Sequence, residues 1–120
     1  MKEKLTKMLL AIGGSRVDMP SIEEDLKQLV ERGRSSSIKN IEFMKGRPSQ
    51  CHENASLLWD ANREICRIVT GYALAEGVWN QHSWCERGEV IVETTVRREA
   101  YFGSVLTPEE CDEFYFNNAW

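Results

Sequence analysis

The sequence lacks a long apolar run. Its N-terminal stretch Met8 to Ile12 has only five apolar residues, whereas a helix that spans a membrane needs about 20. The same stretch is not followed by a cleavage site typical of export signals. We therefore expect an intracellular, cytoplasmic protein that has no membrane as a partner.

The chain also lacks a concentrated basic surface. It has 15 basic and 19 acidic residues, a net charge of −4, and its basic residues are scattered among acids. Nucleic acid is therefore not an expected partner. At 120 residues, with 42% hydrophobic and 28% charged residues, the chain is typical of a globular domain. We expect one domain over 1–120, with a helical segment at 1–45, a catalytic-type core at 46–106 and a C-terminal helix at 107–120.

Residues that carry chemistry are few: two histidines, four cysteines and no Cys-x-x-Cys pair. In the expected reducing compartment the cysteines remain thiols. Cysteine is among the most buried residue types, so we expect Cys66 and Cys111 to be packing residues. At least one thiol is then available for chemistry, and no cofactor is expected.

The hydrophobic pattern predicts an α+β fold. Apolar residues at helical spacing indicate two N-terminal helices, the second beginning with the capping-box pair Ser21 and Glu24, and a further helix from Cys51 to about Glu64. Three runs of strand-forming residues, at 66–75, 78–86 and 89–96, are joined by short turns that favour an antiparallel meander.

The C-terminal region completes the predicted fold. Residues 101–106 are predicted to form an edge strand, and Thr107-Pro108-Glu109-Glu110 combines an N-cap, a first-turn proline and a capping acid. We therefore expect a central helix with Cys51 at its N-terminus, packed on a small antiparallel sheet of three to four strands, and a short terminal helix.

Cys51 is the candidate nucleophile. A helix N-terminus favours the thiolate, which is the reactive form. His52 points about 100° away from Cys51 on a helix, which leaves His82 as the candidate base. If Arg87 and Gly88 are the central residues of a hairpin turn, His82 lies directly opposite Glu93, whose carboxylate would orient the ring. The three residues then form a catalytic triad.

An acyl-transfer site also needs donors for the developing oxyanion. The backbone N–H of Cys51 and the side-chain amide of Gln50 are candidates, and Gln81 beside His82 is an alternative to Gln50.

The order of these segments resembles the core of the transglutaminase-like superfamily, which is papain-like in design. The matching stretches are Cys51-His52-Glu53-Asn54-Ala55, Ile68-Val69-Thr70-Gly71-Tyr72-Ala73, His82-Ser83-Trp84 and Val92-Glu93-Thr94-Thr95. The resemblance covers about residues 46–96. Glu93 stands where that family usually has Asp, which adds one methylene.

The resemblance implies a cysteine hydrolase or acyltransferase that acts on a peptide or another amide through a Cys51–His82–Glu93 triad. Two alternatives remain. The first is a non-catalytic binding module that presents aromatic residues such as Trp59, Trp79, Trp84 and Trp120. The second is a zinc domain built on His82-x-x-Cys85, although residues three apart on a strand point to opposite faces.

Overall fold

The computed structural model describes residues 1–19 and 23–119 of the chain. Ser21, the first residue of the predicted capping box, and Trp120 lie outside the described residues. Those residues that are described form four helices and seven strands. None of the described helices combines the length and the apolar character that crossing a membrane requires.

The fold is α+β, as predicted. The helices are α1 (Lys2–Ile12), α2 (Glu23–Arg32), α3 (Cys51–Ala61) and α4 (Pro108–Ala119). The strands are β1 (Arg16–Val17), β2 (Arg34–Ser35), β3 (Asn40–Phe43), β4 (Arg67–Ala75), β5 (Val78–Arg87), β6 (Val90–Glu93) and β7 (Ala100–Val105).

The sheet is larger than the predicted three to four strands, and it is mixed rather than antiparallel. Its described strands run in the order β2-β7-β4-β5-β6-β3, and β1 pairs with β5 beside this path. The pairs β1–β5 and β3–β6 are parallel, whereas β5–β6 and β2–β7 are antiparallel. The expected edge strand, β7, lies between β2 and β4, because residues 34–35, which fall within the segment expected to be helical, form β2.

Contacts between Cα atoms divide the chain into two units. The first unit comprises Met1–Ser36, Gly71–His82 and Arg98–Ser104, and the second comprises Ser37–Thr70, Ser83–Arg97 and Val105–Trp120. Strands β4 and β5 therefore each contribute residues to both units. The division of the chain into the three segments named above stays a prediction.

The first unit has a core built on α1 and α2. Its buried residues are Leu5, Leu9, Leu26, Leu29, Tyr72, Leu74, Trp79 and Phe102. The helical spacing of the leucines puts them on one face of each helix, and the α2 helix is followed by Gly33, whose N–H donates to the Leu29 carbonyl at 2.8 Å. The apolar spacing of the sequence thus predicted the two helices that supply the four leucines of this core.

The second unit has a core built on α3, α4 and the sheet. Its buried residues are Ala55, Trp59, Cys66, Ile68, Cys85, Val92, Leu106 and Cys111. The predicted capping box of α4 is confirmed: the Glu110 N–H donates to Thr107 Oγ1 at 3.2 Å, and the Thr107 N–H donates to Glu110 Oε1 at 2.9 Å. These reciprocal bonds satisfy two N–H groups at the helix start.

The hairpin between β5 and β6 has a register that differs from the predicted one. Arg87 pairs with Val90, Glu86 with Ile91 and Cys85 with Val92. Gly88 and Glu89, not Arg87 and Gly88, are therefore the central residues of the turn. Gly88 has a φ of +60°, and a glycine with positive φ at the first central position is the mark of a type II′ turn.

Candidate functional site

Cys51 lies at the start of α3, as predicted. It is the first helical residue, Gln50 is the N-cap residue, and the Asn54 N–H donates to the Gln50 carbonyl at 2.8 Å. The Gln50 side chain is exposed and makes no capping hydrogen bond to the helix. Its amide is thus not used to hold the helix start.

A turn with an unfavourable backbone conformation leads into α3. The Gln50 N–H donates to the Arg47 carbonyl at 3.3 Å across Pro48 and Ser49, and Ser49 has a φ of +61°. Proline followed by a residue with positive φ is the geometry of a type II turn, in which the second position favours glycine. A serine held there stores strain, of the kind that is often found next to functional residues.

The side chain of Asn54 fixes this turn to α3. Its Nδ2 donates to the Arg47 carbonyl at 2.8 Å, and its Oδ1 accepts from the Arg47 N–H at 3.0 Å. Gly46 leaves room for the amide, because a Cβ at that position would lie 2.4 Å from Asn54 Cγ. Asn54 thus clamps both polar groups of one residue in the segment that precedes Cys51.

The four cysteines differ in accessibility. Cys66, Cys85 and Cys111 are buried, which confirms the packing role predicted for Cys66 and Cys111, whereas Cys51 is only half-buried. Burial raises the pKa of the thiols of Cys66, Cys85 and Cys111. These three thiols are therefore protonated at neutral pH and poorly reactive.

Glu93 is fully buried at the end of β6. Its Oε2 accepts hydrogen bonds from the Thr94 N–H at 3.1 Å, the Thr95 N–H at 3.1 Å and Thr95 Oγ1 at 3.0 Å. Three donors to one oxygen favour the ionised form of a buried carboxyl group and offset part of the cost of its burial. The longer side chain of glutamate folds back onto the next two residues, which accommodates the methylene that aspartate lacks.

The hairpin register changes the expected relation of Glu93 to β5. The predicted direct opposition of His82 and Glu93 is wrong, because the observed register, extended by one pair, places Trp84 opposite Glu93. Relative to the predicted register, the partner of each β5 residue moves by two positions along the chain. A move of two positions leaves each side chain on the same face of the sheet.

His82 is buried, with its side chain 1% exposed, and its ring lies 6.4 Å from that of Tyr101. Cys51, Gln50 and Glu93 belong to the second unit, and His82 belongs to the first. Their action as a triad therefore stays a prediction.

His52, which the sequence excluded as the base, is held by other residues. Its Nδ1 lies 2.6 Å from Ser83 Oγ, and Ser83 Oγ lies 2.9 Å from Thr70 Oγ1. The ring meets Phe114 of α4 edge-on, with 5.9 Å between centroids. This arrangement resembles a serine–histidine pair, but Ser83 is fully buried and so cannot meet a substrate.

No group of three or more His, Cys, Asp or Glu side chains is placed to hold a metal ion within residues 1–19 and 23–119. The zinc alternative based on His82 and Cys85 therefore receives no support from the described part of the chain. Comparisons of this protein with protein-family models, with curated proteins and with solved structures gave no match in any of the three.

Three features of this region were not predicted from the sequence: the Asn54 clamp, the hydrogen bonds from Thr94 and Thr95 to Glu93, and the chain from His52 through Ser83 to Thr70. The second had a local signal in one residue only, Thr95, whose hydroxyl donates to Glu93; the other two donors are backbone N–H groups. The other two join side chains through the fold and leave no local pattern.

Proposed function

We propose that this protein is a thiol-dependent acyl-transfer enzyme, a cysteine hydrolase that acts on a peptide or another amide. Cys51 is the proposed nucleophile, His82 the base and Glu93 the residue that orients the imidazole. The proposal rests on the sequence order of these residues and on the accessibility of Cys51 at the start of α3.

The chemistry would take two stages. The Cys51 thiolate attacks the amide carbon, a C–S bond forms, and the carbonyl π electrons move to oxygen, which the Cys51 N–H and the Gln50 amide would stabilise. The tetrahedral intermediate collapses, the C–N bond breaks, and the amine leaves with a proton from His82. Water then attacks the thioester, gives a proton to His82, and releases the acid and the thiolate.

One observation carries the proposal. Among the four cysteines, only Cys51 is not buried, and it is the first residue of an 11-residue helix. The partial positive charge of a helix N-terminus stabilises a thiolate. The other three thiols lie in the core of the second unit, where burial opposes ionisation. The fold thus separates one accessible thiol from three protected ones.

The burial of Glu93 adds support. A fully buried carboxylate is costly unless it is hydrogen-bonded, and Glu93 receives three hydrogen bonds on Oε2 alone. A carboxylate that accepts hydrogen bonds in this way is suited to stabilise an imidazolium, which is the role proposed for it.

Alkylation of the folded protein by iodoacetamide, followed by peptide mass mapping, tests the proposal. We expect Cys51 to react much faster than Cys66, Cys85 and Cys111, and to keep reacting below neutral pH, where an ordinary thiol with a pKa of about 8.5 is protonated. His82→Ala should remove the reaction at low pH, because the thiolate loses its imidazolium partner. In urea, all four thiols should react at similar rates.

Equal and slow alkylation of all four thiols in the folded protein would refute the nucleophile assignment. Fast alkylation of Cys51 that is unchanged in His82→Ala would retain an activated thiol but remove the triad. A non-catalytic binding module is the reading that the first of these results would favour.

A further inference from the structure

Two residues that directly follow the proposed catalytic residues are joined by a short hydrogen bond. His52 follows Cys51, Ser83 follows His82, and His52 Nδ1 lies 2.6 Å from Ser83 Oγ. Both side chains belong to the second unit. The bond therefore ties the first turn of α3 to the position in β5 that comes next after the proposed base.

The partners of this bond are themselves held on several sides. Ser83 is fully buried and lies 2.9 Å, oxygen to oxygen, from Thr70 of β4. The His52 ring packs edge-on against Phe114. Side chains from α4, β4 and β5 thus hold one imidazole of α3. This imidazole lies beside the candidate nucleophile in sequence but uses Nδ1 for a structural bond.

The hydrogen-bond chain is satisfied whether His52 is neutral or charged. With a neutral ring, Ser83 donates to Nδ1 and accepts from Thr70; with a charged ring, Nδ1 donates to Ser83, which then donates to Thr70. Both arrangements use the same three side chains, so the bond serves as a fixed link between α3 and β5.

We infer that His52 and Ser83 are positioning residues for the proposed thiol chemistry: their hydrogen bond holds the Cys51 end of α3 to Ser83 of β5, the residue that follows His82 in the chain. This inference rests on the proposed function, since it assumes that Cys51 and His82 act together. Neither residue touches the reacting atoms in this role.

The test is the pH profile of Cys51 alkylation in matched variants. Ser83→Ala removes the buried hydroxyl without adding volume. Ser56→Ala is the control, because Ser56 is also fully buried and its Oγ donates to the His52 carbonyl at 2.8 Å, not to the ring. A second pair of variants changes position 52. His52→Asn is the control, because its amide takes about the place of Nδ1, whereas His52→Leu removes the hydrogen bond to Ser83.

We expect the alkylation rate at about pH 6 to fall by about tenfold or more in Ser83→Ala and His52→Leu, because small displacements of reacting groups have effects of this size. Ser56→Ala and His52→Asn should retain the profile of the parent protein. Thermal unfolding of each variant shows that the fold is intact. If Ser83→Ala does not fold, the pair at position 52 decides.

Two results overturn the inference. The first is an unchanged profile in both Ser83→Ala and His52→Leu while His82→Ala loses the reaction at low pH, which would leave the proposed function intact. The second is an equal loss in Ser56→Ala and Ser83→Ala, which would indicate general loosening of the second unit. If His82→Ala itself has no effect, the proposed function fails first, and the inference fails with it.

Discussion

The hydrogen bonds to Glu93 predict opposite effects for the same substitution at two neighbouring positions. Thr95→Val removes the hydroxyl that donates to Glu93 Oε2 at 3.0 Å. Thr94→Val removes a hydroxyl that is buried and has no hydrogen-bond partner among the described residues. Valine has nearly the same shape as threonine and favours strands at least as well, so neither change creates a cavity.

The expected magnitudes follow from the role of each hydroxyl. A hydrogen bond to a charged group contributes about 1.5–3 kcal/mol, and Thr95 is only half-buried, so we expect Thr95→Val to lower the free energy of unfolding by about 1.5 kcal/mol. Thr94→Val should be neutral or raise that free energy by up to about 1 kcal/mol, because it removes an unsatisfied buried polar group.

Urea unfolding followed by circular dichroism measures the difference between the two variants. With a slope of about 1–3 kcal/mol per molar urea, a difference of about 1.5 kcal/mol separates the midpoints by about 0.5–1.5 M. An unchanged slope shows that the stability of the native state has changed, not the compactness of either state. Equal losses in the two variants, or a larger loss in Thr94→Val, would refute this account of how Glu93 is held.

Two further predictions concern the second unit. Gly46→Ala should lower the free energy of unfolding by about 1–3 kcal/mol through overpacking against Asn54. The double variant with Asn54→Ala should lose less free energy than the two single variants together, because both changes act on one contact. Additive losses in thermal unfolding would contradict this. Burial raises the pKa of the Glu86 carboxyl, while a hydrogen bond from Trp84 opposes this and the charge of Glu89 adds to it. A raised native pKa means that this carboxyl costs stability once the pH rises above the unfolded value of about 4.3. Glu86→Gln should thus stabilise the protein at neutral pH and lose that advantage in acid; an advantage that is independent of pH would contradict the assignment.

The sequence predicted those elements whose signals are local. The capping box at Thr107 and Glu110 needs only four consecutive residues, and the helix that begins at Cys51 was indicated by apolar residues at helical spacing. By contrast, β1 and β2 have two residues each, too few to show an alternating pattern. Their pairing is set by the long strands beside them, which is why the sheet was underestimated.

The candidate site was predictable to the same extent. The identity and placement of Cys51 came from local patterns, but the hairpin register depended on which residue takes the first central position of the turn. Both Arg87-Gly88 and Gly88-Glu89 are compatible with the sequence, because glycine is favoured at either central position of a hairpin turn. The observed pairing of Arg87 with Val90 makes Gly88 and Glu89 the central residues. Contacts such as His52 with Ser83, 31 residues apart, arise only when the chain has folded.

The parallel pair of β3 and β6 bears on the order in which the protein folds. Val90 pairs with Arg87 across a two-residue turn. It also pairs with Asn40, although α3, β4 and β5 lie between the two residues in the chain. A hairpin forms within about 1–10 μs, whereas distant pairing first requires closure of a long loop. The Met44 N–H donates to the Glu93 carbonyl, and the Gly46 N–H donates to the Thr94 carbonyl. These two hydrogen bonds would form late, together with the pairing of β3 and β6 and with the turn that precedes Cys51. A chain in which β3 and β6 have not yet paired would therefore lack the two hydrogen bonds that join the segment before Cys51 to Glu93 and Thr94.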